Sequence, residues 1–180
     1  MIPAATRRYH DSAGMTLIEL CVVIGIIGIL FGLAVTSLKR AKLAANEGNA
    51  MGALRTITKA QFAYAVNCGR GSYATSLLTL GAKTSSRLQG FLNEDLGSSE
   101  TVTRDGYTVH VQIGLGAEPG LPDCMGRDTY TSYYASAYPV ELGKTGTRAF
   151  ATNQGGALWQ RLAAVPPPEP FGPPTSEVAR

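Results

Sequence analysis

The sequence predicts an α+β fold in which one long N-terminal helix, apolar in its first half, packs on a small antiparallel sheet. Three observations predict it. No charged residue occurs from Leu20 to Leu38. Apolar residues then recur at three- and four-residue steps to about Val66, the period of a helix with one buried face. Beyond that point, short alternating segments are separated by glycine-marked turns, which reads as strands.

The apolar run is long enough to cross a bilayer as a helix, which takes about 20 residues. Glu19 sits at its entry. A carboxylate near hydrocarbon costs about 3 kcal/mol or more, so such a residue is a functional candidate by default. Gly25, Gly28 and Gly32 punctuate the run, and Gly28-x-x-x-Gly32 has the spacing that lets membrane helices approach closely. Ordinary glycine use in a membrane helix is the plainer alternative. No proline falls between Met15 and Tyr64, so the helix is expected to continue past the apolar run. Over residues 39–66, Met51, Leu54, Ile57 or Thr58, Phe62 and Ala65 form the expected core-facing stripe.

Charge narrows the function classes. The net charge of +3 is uneven: Lys39, Arg40, Lys42, Arg55 and Lys59 face only Glu47. After Lys59 the chain carries nine basic and ten acidic residues. That balance shows no clear nucleic-acid site, which would need a basic face. Lys39, Arg40 and Lys42 beyond the span compete with Arg7 and Arg8 before it, and the local count slightly favours keeping the later part on the cytoplasmic side. The length of 180 residues suits one domain beside the helix.

The segment Gly14-Met15-Thr16-Leu17-Ile18-Glu19-Leu20, preceded by a short polar leader, closely resembles the type IV pilin and type II secretion pseudopilin family. The resemblance covers Gly14 to about Leu38. Met15 stands where phenylalanine is commoner, and Ala13 where a lysine or arginine often precedes the glycine. The resemblance implies cleavage between Gly14 and Met15 by a prepilin peptidase, N-methylation of Met15, and bundling of the helices into a filament. Glu19 would then meet the Met15 amine of a neighbouring subunit and select the axial register. The implied partners are further pilin copies, the peptidase, the inner-membrane assembly machinery and the membrane itself before assembly. The implied location is the bacterial inner membrane as a single-pass protein, then a periplasmic or extracellular filament. No cofactor and no enzymatic activity are implied.

The resulting division is a leader at 1–14, a membrane or filament-core helix at 15–38, its amphipathic continuation at 39–66, a head at 67–164 and a proline-rich tail at 165–180. A type II secretion pseudopilin shares every N-terminal feature. A membrane-tethered exported binding protein or enzyme is the rival from another class. Conventional signal cleavage after the core, near Ala34-Val35-Thr36-Ser37, is a further alternative.

In the head, segments 106–114, 130–138 and 147–152 read as strands, 157–159 as a short strand and 87–96 as a short helix. Cys21 lies within the apolar run and suits packing as a small hydrophobe. Cys68 and Cys124 are able to form one disulfide in an oxidising compartment, the alternative being two unpaired or buried thiols. No cysteine or histidine cluster has metal-ligand spacing. With only His10 and His110 in the chain, a Ser/His/Asp site is poorly supported. Asp105, Asp123 and Asp128 lie beside turns, and their spacing matches no calcium loop. In a strand, Tyr134 and Tyr138 share one face, which Tyr130 joins if the strand is regular. Six prolines between Val165 and Pro174 exclude regular structure, so a flexible tail is expected.

Overall fold

A computed structural model describes residues 14–83 and 88–178 of the chain. It divides into two compact units, Met1–Arg40 and Ala41–Arg180. Helix α1 (Leu17–Asn67) supplies the regular structure of the first unit and the first element of the second. The leader lies outside the described residues, apart from Gly14.

In the second unit, α1 and Cys68 just beyond its end bury one stripe: Ala50, Leu54, Ile57, Gln61, Tyr64 and Cys68. The steps alternate between four and three residues, as one helical face requires. This corrects the expected stripe at one position. Phe62 points outward and is 69 % exposed. Gln61 is buried in its place because Ala74 satisfies it at both ends. Its Nε2 donates to Ala74 O at 2.8 Å, and its Oε1 accepts from Ala74 N at 2.9 Å. A fully paired amide is admissible in a core, whereas an unpaired one is costly.

Two short helices follow, α2 (Leu77–Gly81) and α3 (Glu94–Gly97). Ser76 caps α2, its hydroxyl accepting from Thr79 N at 3.1 Å. The helix expected over 87–96 contracts to α3, and Arg87 lies outside the described residues. Six strands then form one antiparallel sheet in sequential order: β1 (Thr101–Arg104), β2 (Tyr107–Ile113), β3 (Tyr133–Pro139), β4 (Ala149–Asn153), β5 (Leu158–Arg161) and β6 (Ser176–Glu177). Alternate residues Tyr107, Val109, Val111, Tyr133, Ala135 and Ala137, with Phe150 and Leu158, join the α1 stripe in one core. The fold is therefore α+β, a long N-terminal helix with a six-stranded antiparallel open sheet.

β1 and β6 were not anticipated. β1 carries a legible signal: Asp105 and Gly106 both have positive φ, 49° and 73°, as a two-residue hairpin turn demands. Tyr130 does not extend β3. It makes isolated bridges to Tyr73 and Pro119 instead, so it does not join the Tyr134 and Tyr138 face.

The proline-rich segment also differs from expectation. Tyr134 Oη donates to Pro167 O at 2.5 Å, and the Glu169 carboxylate accepts from Leu115 N and Asn153 Nδ2, both at 2.8 Å. Phe171 stacks on Trp159 with ring centroids 5.3 Å apart, and β6 adds to the edge of β5. Proline removes backbone donors, yet its carbonyls and the intervening Glu169 and Phe171 remain able to bind. The segment is thus a strap across the sheet rather than a free tail.

Candidate functional site: the apolar helix and the anchored head

The first unit holds the residues that the sequence singles out. Glu19 lies in the first turn of α1, and its backbone N–H donates to Thr16 Oγ1 at 3.3 Å. Thr16 thus caps the helix start. Thr16-Leu17-Ile18-Glu19 has the spacing of a capping box, and an acid in the first turn is favoured by the helix dipole by about 0.3–1 kcal/mol. Glu19 therefore has a local structural reason to be an acid.

Among the described residues of this unit, the large apolar side chains have no cover of their own. Met15, Leu17, Ile18, Leu20, Val22, Ile24, Ile26, Ile29, Leu30, Phe31 and Leu38 are all exposed. The helix is long and apolar enough to cross a membrane. A Cβ added at Gly25, Gly28 or Gly32 would meet nothing within 4 Å. These glycines therefore leave smooth, open backbone on the helix surface. Cys21 is a free, exposed thiol.

Besides the Gln61–Ala74 pair, two buried carboxylates tie the second unit to its part of α1. The first, Glu47, is only 4 % exposed. Its Oε1 accepts from Thr147 N at 2.8 Å and from Thr147 Oγ1 at 2.7 Å. Its Oε2 accepts from Arg148 Nε at 2.9 Å and Nη2 at 2.5 Å. Burial alone would raise the Glu47 carboxyl pKa. The Thr147 hydroxyl and amide and the Arg148 guanidinium outweigh it and hold the pKa below its ordinary value. The sequence shows Glu47 merely as the lone acid of a basic stretch, and pairing across about 100 residues leaves no local pattern.

The second point lies at the end of α1. Cys68 and Cys124 form a disulfide with Cα atoms 4.8 Å apart. Beside it the buried Asp123 carboxylate accepts from Tyr64 Oη at 2.8 Å, Met125 N at 2.7 Å, Arg127 N at 2.8 Å and Arg127 Nε at 2.8 Å. Burial works to raise the Asp123 pKa, but these donors, led by the Arg127 and Tyr64 bonds, lower it. The same burial, with the adjacent Asp123 charge, pushes the Tyr64 hydroxyl up. Asp123 thus serves as a loop-ordering acceptor. Among the described residues, no group of three or more His, Cys, Asp or Glu is placed to hold a metal ion.

On the outer face, His110 and Ser136 are cross-strand partners. With Tyr138 and Glu169 they line a shallow cleft beneath the strap. Burial and the nearby Glu169 charge push the Tyr134 hydroxyl pKa up to about 12.

A long N-terminal apolar helix and a small α+β head are compatible with pilin-like architecture. No protein-family model, curated protein or solved structure matches the chain.

Proposed function

We propose that this chain is a prepilin-like structural subunit, cut between Gly14 and Met15, N-methylated on Met15 and polymerised through its apolar helix into a pilus-like filament. The observation that carries the reading is the helix whose apolar side chains are exposed over its first half, with an acid in its first turn and a folded head beyond. Such a surface demands cover, first from lipid and then from the same helix of other copies. Once cleavage frees the Met15 amine, Glu19 is the one carboxylate at that end of the helix. In low dielectric, a misaligned neighbour leaves both charges unpaired, so pairing selects a register. The chain acts by assembly and not by catalysis, and a prepilin peptidase and inner-membrane assembly proteins are its partners in that scheme. The location that follows is the inner membrane, then a periplasmic or surface filament.

Mass spectrometry of the mature N-terminus from cell envelopes tests the reading. A chain starting at N-methylated Met15 is expected. An intact Met1 or a start after Ala34 overturns it. Glu19→Gln separates the two roles of the acid: register pairing predicts loss of assembly with membrane insertion intact. Unchanged assembly would reduce Glu19 to a helix-start residue.

A further inference from the structure

The outer face of the sheet carries a cleft that filament assembly does not use. Side chains opposite each other in an antiparallel pair share a face. His110 on β2 opposes Ser136 on β3, and Gln112 and Tyr138 stand two residues away on the same side. These four line a cleft of about 640 Å³, and the strap supplies Glu169 beside two proline rings. That volume lies within the range of about 300–1,000 Å³ usual for small-molecule sites.

Ser136 points to a ligand. It is only 4 % exposed, and its hydroxyl has no hydrogen-bond partner among the described residues. The His110 imidazole, the Gln112 amide and the Tyr138 hydroxyl likewise have no partner among the described residues. Ser132 Oγ and Thr152 Oγ1 also lack partners, but both are sealed from solvent, whereas Ser136 lines the cleft. A hydroxyl withdrawn from bulk water and left unpaired costs free energy, which a hydrogen-bonding group entering the cleft would offset.

Charge and donor type narrow what fits. Among the described residues, no lysine or arginine lines the cleft, and Glu169 adds an acid. Phosphates, nucleic acids and acidic sugars are therefore unsuited. β2 and β3 are each paired on both sides, so an extended peptide finds no free ladder on this face. Imidazole, amide and hydroxyl groups both donate and accept, as sugar hydroxyls do. Glu169 accepts from Leu115 N at one oxygen and from Asn153 Nδ2 at the other, which leaves each a lone pair for a further donor. The half-buried Tyr138 ring adds an apolar surface suited to the C–H face of a sugar ring. We propose that this cleft binds a neutral hexose-type unit of a glycan, with His110, Gln112 and Ser136 bonding its hydroxyls and Glu169 accepting one more.

Saturation-transfer NMR tests the site on the full chain in detergent, with lactose, cellobiose and N,N′-diacetylchitobiose as probes. Saturable transfer to one or more of these sugars is expected. Ser136→Ala and Gln112→Ala each remove a hydrogen bond that only the sugar completes, so each should weaken binding about fivefold with head melting unchanged. Absence of saturable transfer from every probe, or transfer that neither substitution weakens, overturns the site. Sialyllactose is expected to bind more weakly than the best neutral probe, and the reverse order overturns the assignment of a neutral ligand. None of these readouts depends on N-terminal cleavage or on polymerisation, so this inference and the filament reading fail separately.

Discussion

Two stretches of the same helix solve opposite problems. Between Leu17 and Leu38, apolar residues occupy every side, and those described are exposed. Between Ala50 and Cys68, a single stripe is buried and the remaining faces carry Arg55, Thr56, Lys59 and Asn67. A helix apolar all round must find its cover outside its own chain, whereas a striped one finds it in its own head. Sensitivity should divide accordingly: the striped part governs head stability, and the apolar part governs insertion and assembly.

The largest expected break is removal of the disulfide. Cys68→Ser with Cys124→Ser opens a link across 56 residues of sequence. In the chain-entropy view such a loop contributes about 4 kcal/mol. Denaturant melting of the detergent-solubilised chain should show that loss, with membrane insertion unchanged. A loss below about 1 kcal/mol would mean that the Asp123 network alone orders the helix end.

Leu54→Ala sharpens the comparison directly. Leu54 is fully buried, and truncation should destabilise the head by about 3 kcal/mol. Leu30→Ala, on the exposed apolar stretch, should leave head melting unchanged and weaken assembly instead. Equal effects on the head would remove the distinction between the two stretches.

Glu47→Gln removes the charge from the first polar anchor while keeping its shape. Breaking a buried pair costs about 3 kcal/mol, and partial exposure of Arg148 should bring the loss towards about 2 kcal/mol. The pH dependence has a definite sign. Glu47 and Asp123 have lowered pKa values in the folded head, so their stabilisation is present above the unfolded carboxyl range, about pH 4. It is lost as pH falls through the folded values. Glu47→Gln should flatten that acid limb, which melting between pH 6 and pH 2 would reveal.

The smallest effect is expected at Phe62. Because it points outward, Phe62→Ser should change head stability by less than about 0.5 kcal/mol. The sequence pattern alone had assigned it to the core, so a large loss would restore that assignment.

Much of the fold is legible in the sequence. The apolar run and its continuation yield a helix because hydrophobic period and proline absence are local properties. β2, β3, β4 and β5 fall where alternating residues place them, shifted by one to three residues at the ends. β1 was readable from Asp105-Gly106, whose turn chemistry is equally local. By contrast, the site reading was uneven. Glu19 drew notice because an acid beside an apolar run is conspicuous, yet its cap contact with Thr16 emerges only at the helix start. Glu47, Gln61 and Tyr64 gave no local sign of their roles, since Thr147, Ala74 and Asp123 respectively complete them.

By itself, the sequence determined where the long helix and strands β2 to β5 form and that the first part of the helix lacks a polar face. Both follow from the periodicity of neighbouring residues. Tertiary structure alone decided that Phe62 faces out while Gln61 goes in, that Glu47 holds Arg148, and that the proline-rich segment lies down on Tyr134 and Trp159. Each of these is a choice between solvent and a partner remote in sequence. Burial of a polar or irregular segment becomes favourable only when that partner satisfies its hydrogen bonds.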